Sequence, residues 1–214
     1  MEKFAHIKDI HRRIFAAMLA NMDDSVGRVM EQLRKSELEE NTIVFFLSDN
    51  GGPTRELTSS NLPLRGSKGQ MYEGAIRVPF MMQWKGEIPA GQVYKKPVSS
   101  FDIFATATAN STGVTAPKQV EGVDLIPFVT GKNDGVPHKT LFWRQGGKAA
   151  LRHGDWKLVR FGKRLGVGKA KWELYDLSKD LSEKNDLAST EPERLAELVK
   201  IWEKRNAKMS KPLF

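Results

Sequence analysis

Residues 42–52 read Thr-Ile-Val-Phe-Phe-Leu-Ser-Asp-Asn-Gly-Gly, and this stretch decides the fold. Its first residues are mostly β-branched or aromatic, and a turn-forming Asp-Asn pair and two glycines follow at once. The pattern predicts a buried strand whose carboxyl end presents Asp49 and Asn50 on a tight turn. In open α/β sheets, ligand sites lie beyond the carboxyl ends of the strands.

A long amphipathic helix is predicted directly before this strand, over about residues 6–35. Charged residues fill one face, and apolar residues recur on the other at steps of three or four. These apolar residues are Ile7, Ile10, Ile14, Met18, Met22, Val26, Val29 and Leu33. A helix that leads into a buried apolar strand is half of a βαβ unit, so a parallel sheet is expected.

Shorter elements are predicted after the first strand. A second strand spans residues 76–84, and Pro79 makes it an edge strand or interrupts it, because proline cannot donate to the ladder. Ser99 or Ser100 is expected to cap a helix that runs to about Asn110. A short helix or turn follows at residues 124–130.

A small antiparallel sheet and a last helix are predicted from about residue 138 onward. The last helix is expected to open with a capping box from Thr190 to Glu193. Trp202 belongs to the buried face of that helix, and the sheet carries three more tryptophans. The four predicted strands are residues 140–144, 148–152, 156–161 and 171–175. We expect Trp143, Trp156, Trp172 and Trp202 to be core residues, and the alternative is a stacking platform for sugars or bases.

Asp49 and Asn50 are candidate metal ligands, because their hard oxygen atoms are what Ca²⁺ or Mg²⁺ requires. Gly51 and Gly52 let the backbone turn sharply and leave room for a ligand. The alternative is an Asx turn, which an Asp-Asn-Gly sequence readily forms at the end of a strand.

Lys68 lies in a glycine-rich loop that leads into the second predicted strand. Its neighbours read Arg-Gly-Ser-Lys-Gly over residues 65–69. A compact ammonium on a flexible loop suits a tetrahedral oxyanion, and the alternative is an ordinary surface lysine. Arg65 and Arg77 are expected to make structural ion pairs, with Glu73 as a candidate partner.

The two segments, in this order and spacing, resemble the second half of a type I sulfatase of the arylsulfatase and N-acetylgalactosamine-6-sulfatase kind. The resemblance continues through residues 97–102, 121–125, 154–158, 173–177 and 183–188. It implies an α/β fold: the C-terminal part of an alkaline-phosphatase-like sandwich, followed by a small antiparallel sheet and helix. Residues 1–136 would belong to the catalytic domain, and residues 137–214 would form the small subdomain.

The resemblance also implies roles for the candidate residues. Asp49 and Asn50 would bind the family's Ca²⁺, and Lys68 would contact the sulfate of a sulfated small molecule or glycan. Asn50 separates the chain from phosphatase and phosphomutase relatives, which tend to carry Asp-His-Gly at this place.

The family's nucleophile is a formylglycine made from the first residue of a Cys/Ser-x-Pro-x-Arg motif. The chain has no cysteine, and its nearest match, residues 61–65, has asparagine at the nucleophile position. The family's early Asp-Asp metal ligands are missing too. We therefore expect a C-terminal portion of a sulfatase that is inactive and poorly stable alone, with a possible N-terminal half as its partner.

The basic composition leaves a second function open. The net charge is +8, and Gly, Lys and Arg are enriched over residues 160–171. A non-catalytic fragment that binds polyanions through this stretch is the alternative to a hydrolase. Nucleic acid is not expected as a partner, because no DNA- or RNA-binding motif accompanies the charge.

Other classes of site find little support. The four histidines have no metal-ligand spacing, although His153 could reach a substrate in a complete enzyme. Without cysteine, disulfides and thiolate sites are excluded. No segment is long enough to span a bilayer or has the pattern of a signal peptide, and the cellular location stays open.

Overall fold

The computed structural model describes residues 2–54, 59–114, 117, 119–161 and 171–210. The chain divides into two compact units. The first unit comprises Met1–Ala16, Ser48–Val78 and Lys139–Phe214, and the second comprises Ala17–Leu47 and Pro79–His138. The division predicted between residues 136 and 137 stays a prediction.

Within the described residues the chain forms five α-helices and six strands. In chain order they are α1 (Ile10–Lys35), β1 (Val44–Leu47), α2 (Glu73–Ile76), β2 (Phe80–Gln83), α3 (Asp102–Thr112), α4 (Ile126–Val129), β3 (Thr140–Gln145), β4 (Lys148–His153), β5 (Trp156–Arg160), β6 (Trp172–Asp176) and α5 (Pro192–Asn206). Of these helices, none has the length and hydropathy needed to cross a lipid bilayer.

Helix α1 confirms the long helix predicted from the apolar periodicity, but it starts later than expected. Asp9 accepts a hydrogen bond from the Arg12 backbone N–H at 2.7 Å through its side chain, which is the geometry of an N-cap. Residues 2–4 form a short 3₁₀ helix instead of extending α1. No residue of α1 is buried.

The parallel sheet expected around β1 is wrong for the strands that the structure describes. β1 and β2 pair antiparallel, from Val44 opposite Gln83 to Leu47 opposite Phe80. Among the described residues, no other strand pairs with β1 or β2. β2 starts after Pro79, because a proline has no N–H for the ladder.

Both predicted helix caps are also wrong. Helix α3 begins at Asp102, its N-cap is Phe101, and no side chain of the described residues makes a hydrogen bond there; Ser99 contributes only its backbone N–H, which donates to the Asp102 carboxylate at 2.7 Å. Helix α5 begins at Pro192 with Glu191 as its N-cap, and Thr190 donates its hydroxyl to Leu187 O at 3.2 Å. A local backbone acceptor has therefore replaced the capping box.

The small antiparallel sheet is confirmed, with the strand order β3-β4-β5-β6. Helix α5 covers one face, where Leu198 and Trp202 pack against side chains of β4, β5 and β6. Met71 and Tyr72 cover part of the other face. The four tryptophans belong to these two apolar clusters, as predicted: Trp156, Trp172 and Trp202 to the first and Trp143 to the second.

Candidate functional site

Asp49 and Asn50 follow β1 directly and lie on a turn that is held by backbone contacts. Ser48 donates its hydroxyl to Asn50 O at 2.7 Å, and the Asn50 amide nitrogen donates to Gly51 O at 3.1 Å. The carboxylate of Asp49 is exposed, and the Asn50 side chain is half-buried. Within the described part of the chain, neither the carboxylate nor Asn50 Oδ1 has a hydrogen-bond partner.

The Asx turn proposed as the alternative does not form. It would require the Asp49 carboxylate to accept the Gly51 N–H, or Asn50 Oδ1 to accept the Gly52 N–H. Instead, Gly51 N donates to Ala75 O at 2.9 Å, and Gly52 N donates to Asn61 Oδ1 at 2.9 Å. The side-chain oxygens of the turn are therefore free to bind something else.

Gly51 cannot be replaced without moving the turn. A Cβ atom added to it would lie 1.8 Å from Gly74 O, well inside van der Waals contact. The turn and helix α2 approach each other this closely because Gly51 N reaches Ala75 O. Glycine is needed here for close backbone approach rather than for an unusual φ angle.

Asn61 connects the turn to the Lys68 loop, which we define as residues 61–75. Its amide nitrogen donates to Gly52 O and to Gly66 O, both at 3.0 Å, while its oxygen accepts the Gly52 N–H. Sequence reasoning assigned no such role to Asn61, because its contacts lie five and nine residues away. An asparagine inside a Pro- and Gly-rich loop was the available signal.

Lys68 is exposed at the tip of this loop. Its backbone N–H donates weakly to Gly52 O, at 3.4 Å, so the loop is tied to the turn at this point too. Gly69, which follows, has a φ of 82°, a value that favours glycine. The Lys68 ammonium has no hydrogen-bond or ion-pair partner among the described residues, and it remains available for an anion.

The donor set of the turn fits part of a calcium shell. Asp49 and Asn50 offer two hard oxygens that are not engaged by protein donors, whereas Ca²⁺ takes about six to eight oxygen ligands. Within the described residues, no group of three or more His, Asp or Glu side chains could hold a metal ion. The two residues therefore suit Ca²⁺ but do not complete its coordination.

Arg77 and Arg65 make structural contacts, as predicted, but with different partners. Arg77 lies 3.8 Å from the Glu73 carboxylate. Arg65 donates to Tyr175 Oη at 2.9 Å and to Glu183 O at 2.7 Å, and it lies 3.9 Å from the carboxylate of Glu173. Its guanidinium also covers the ring of Tyr72. Arg65 thus fixes the Lys68 loop to the small sheet.

A buried charge cluster lies behind the loop. Lys157 Nζ is 2.6 Å from the Glu73 carboxylate and 3.4 Å from that of Glu183. Their side chains are 0%, 3% and 0% exposed, respectively. Burial raises the pKa of Glu183 above its ordinary value, and the charge of Lys157 opposes that rise. Sequence reasoning missed this cluster, although a lysine between the apolar residues of β5 was a signal.

The histidines lie outside these contacts. His153 Nδ1 shares a 2.7 Å hydrogen bond with Thr140 Oγ1, and burial, with Lys139 nearby, lowers its pKa. His138 Nε2 lies 2.8 Å from the buried Asp102 carboxylate, in the second unit. Nothing in the described structure joins His153 to the turn or the loop, so its contact with a substrate stays a prediction.

Two family profiles match the chain. The profile described as "Sulfatase" matches residues 5–110, and the one described as "N-sulphoglucosamine sulphohydrolase, C-terminal" matches residues 67–211. The chain is similar to uncharacterized sulfatase YdeN of Escherichia coli strain K12, at 36% identity over 131 residues, which are 60% of this chain and 23% of that protein.

Two further similarities agree with these profiles. Human steryl-sulfatase is 34% identical over 138 residues, covering 60% of this chain and 24% of that protein. The crystal structure of Ps i-CgsB in complex with k-i-k-neocarrahexaose aligns with a TM-score of 0.86 at 29% identity, over 100% of this chain and 47% of that one. The chain thus spans about a quarter of the length of these curated relatives and about half of the structural one.

Proposed function

This chain belongs to the sulfatase family, and we propose that it supplies the metal-binding and sulfate-binding part of a sulfuric ester hydrolase. The observation that supports the proposal is that the polar atoms at the site are not bound by other protein groups. The side-chain oxygens of Asp49 and Asn50 and the ammonium of Lys68 have no partners in the described chain, and they lie on segments that are held by backbone hydrogen bonds. Charged groups that are already held in position bind an anionic ester better than mobile charges on an ordinary protein surface.

Asp49 and Asn50 would hold Ca²⁺, which neutralises negative charge on sulfate oxygens when it is bound. The Asn50 amide nitrogen donates to Gly51 O, so its oxygen is the atom left for a cation. The Lys68 ammonium would contact a sulfate oxygen and stabilise the charge that develops there. Asn61 keeps the turn and the loop together, so that both charges are positioned before the substrate arrives.

The nucleophile is proposed to come from outside these 214 residues. The chain has no cysteine and no Ser-x-Pro-x-Arg stretch from which a formylglycine could be made. We therefore propose that this chain alone hydrolyses no sulfate ester, and that an N-terminal half of a sulfatase completes the site. Calcium-dependent turnover of 4-nitrophenyl sulfate by the purified chain would contradict this.

The second unit supports such a partner. Apolar side chains of α1 and β2 are 45–68% exposed, namely Met18, Leu19, Met22, Val29 and Met81. A groove of about 290 Å³ lies between the helix and the sheet. Among the described residues, β1 and β2 pair only with each other, so each keeps one unpaired edge. Unpaired edges beside apolar surface are suited to accept further strands.

The substrate class is proposed as a sulfated small molecule or glycan. An exposed lysine and a carboxylate-bound cation would recognise the sulfate group rather than the rest of the molecule. These groups therefore suit sulfate esters as a class. The structural relative Ps i-CgsB was solved with a neocarrahexaose, which favours an oligosaccharide.

Calcium titration tests the metal assignment. By isothermal titration calorimetry, we expect Asp49→Asn and Asn50→Ala to weaken Ca²⁺ binding about tenfold or more, because each loses a hard oxygen or its charge. Asp24→Asn, a change to an exposed carboxylate of α1, is the matched control and should bind like the wild type. Equal binding by all four proteins, or none by the wild type at millimolar calcium, would overturn the assignment.

Sulfate titration tests the role of Lys68. Inorganic sulfate is expected to shift the amide resonances of Gly66 and Gly69, which flank the loop tip, in the wild type and in Lys179→Met. The Lys68→Met variant should show no such shift, because the ammonium that attracts the anion is gone. Equal shifts in both variants would remove Lys68 from the proposed site.

A further inference from the structure

Among the contacts that join the small sheet to the Lys68 loop, three hydrogen bonds come from three different strands. Arg65, near the start of the loop, donates to Tyr175 Oη of β6. The Gly69 carbonyl, beside Lys68, accepts a hydrogen bond from Lys148 Nζ of β4 at 2.6 Å. The third contact joins Glu73 to Lys157 of β5, also at 2.6 Å. Three strands thus hold one loop.

Only the third contact is fully buried. Lys157 and Glu183 have no exposed side-chain surface, and Glu73 has 3%. Burying charges carries a large desolvation penalty, and well-packed apolar residues often serve stability as well or better. A buried ion cluster specifies a single arrangement of its partners more strictly than apolar contact does, because its hydrogen bonds are directional. Stability alone is therefore a weak reason for this cluster.

The cluster reaches the Asp49 turn through helix α2. Glu73 is the first residue of that helix, and its backbone N–H donates to the Glu183 carboxylate at 2.7 Å. Two residues later, Ala75 O accepts the Gly51 N–H at 2.9 Å. Helix α2 is thus fixed to the sheet by its Glu73 side chain and to the turn by its Ala75 carbonyl.

We propose that Lys157 is a positioning residue for the site. Through Glu73 and helix α2 it keeps the Asp49 turn and the Lys68 loop in one arrangement, without touching metal or sulfate itself. The small sheet then serves as the support of the site. The importance of this arrangement for chemistry rests on the function proposed above, but the arrangement itself can be measured without it.

Amide hydrogen exchange tests the inference on the full chain. The Glu73→Gln/Lys157→Met double variant removes both charges of the pair and leaves the Glu183 carboxylate with its hydrogen bond from the backbone N–H of residue 73. We expect the Gly51 and Gly74 amides to exchange about tenfold faster, while the Leu151 and Leu158 amides of the sheet stay within about twofold. Lys179→Met, a change to an exposed lysine, should alter neither set.

Two results would overturn the positioning role. Unchanged exchange at Gly51 and Gly74 would show that the cluster does not hold the turn. Equal acceleration at these glycines and at Leu151 and Leu158 would show a general loss of stability. If the double variant does not fold, Lys157→Arg gives a second test: it keeps the charge but moves the donors, and the same selective acceleration is expected.

Calcium titration separates this inference from the proposed function. Selective acceleration at the glycines, together with a wild-type chain that binds no Ca²⁺, would support the positioning by Lys157 and reject the metal site. Calcium binding that depends on Asp49, with unchanged exchange in the double variant, would support the metal site and reject the positioning by Lys157. When both ideas hold, the double variant should bind Ca²⁺ more weakly than the wild type.

Discussion

The small sheet with α5 and the β1–β2 pair with α1 are both rich in apolar residues, but they differ in how these are covered. In the first region, Leu151, Leu158, Leu174 and Leu198 have no exposed surface. In the second, no residue of α1 is buried, and all four residues of β1 are only half-buried. The difference shows that apolar periodicity predicts a helix or strand without showing whether its partner is present.

The largest expected effect is a truncation in the covered region. Leu198→Ala leaves a cavity between α5 and the sheet and should lower the free energy of unfolding by about 2–5 kcal/mol. Val29→Ala is the matched change on α1, where the side chain is 68% exposed, and it should stay within about 0.5 kcal/mol. Urea titrations followed by circular dichroism measure both, and equal losses would refute the comparison.

The same glycine substitution should have opposite signs in the two regions. Gly51→Ala forces a Cβ atom into Gly74 O, which should destabilise the chain by about 1–3 kcal/mol. Gly27→Ala on α1 meets no atom within 4 Å and should stabilise the helix by about 0.5–1 kcal/mol. Thermal melts of the two variants compare them directly, and a tolerated Gly51→Ala would show that the close approach is not maintained.

A pH effect of about 1 kcal/mol is expected in the covered region at Asp176. The hydrogen bond from the Ser178 hydroxyl, at 2.6 Å, lowers the pKa of Asp176 despite partial burial. Because the folded pKa lies below the unfolded one, this stabilisation is present above about pH 4 and is lost as the pH falls further. Asp176→Asn should therefore be less stable at pH 6 but match the wild type near pH 2.

The control for this pH effect lies in the uncovered region. Asp24→Asn changes an exposed residue of α1 and should leave the free energy of unfolding within about 0.5 kcal/mol at either pH. Urea titrations at the two pH values provide the measurement for both variants. A loss in Asp176→Asn that persists unchanged at pH 2 would mean that the effect is not one of ionisation.

The smallest effect on stability should come from a charge on the uncovered surface. Met81→Lys places an ammonium at the groove between α1 and β2, where the side chain is 55% exposed, and should change the free energy of unfolding by less than about 0.5 kcal/mol. Self-association should fall, because a charge opposes edge-to-edge pairing of strands. Sedimentation velocity measures this. A wild-type chain that is already monomeric at high concentration would contradict the prediction that this exposed surface drives self-association.

The sequence predicted what depends on local patterns. The periodicity of α1, the alternation in the four-stranded sheet and the turn after β1 follow from neighbours within a few residues. The caps at Ser99 and Thr190 were wrong because α3 and α5 begin one or two residues later than the capping pattern requires, at Asp102 and Pro192, without a side-chain hydrogen bond at either N-cap in the described structure. The parallel sheet was wrong because the pattern of one strand does not identify its neighbour.

The candidate site was predicted only in part for a similar reason. The side chains of Asp49, Asn50 and Lys68 suggest their chemistry directly, and a family resemblance supports it. Asn61 and Lys157 touch no proposed ligand. They hold the turn and the loop in place through backbone atoms and carboxylates that only the fold brings near. Glu73 and Lys157 are separated by 84 residues, a distance at which no local pattern can relate them.

That separation also has a consequence for protein synthesis. Helix α2 needs the Glu183 carboxylate, 110 residues further along the chain, to bind its first N–H. At translation rates of about 5–20 residues per second, the ribosome takes on the order of 5–20 s to add those residues. During this interval the segment that carries Lys68 has been synthesised, but the residues that will bind it have not. A nascent chain that pauses before Glu183 would thus expose the unfinished loop to proteases and chaperones.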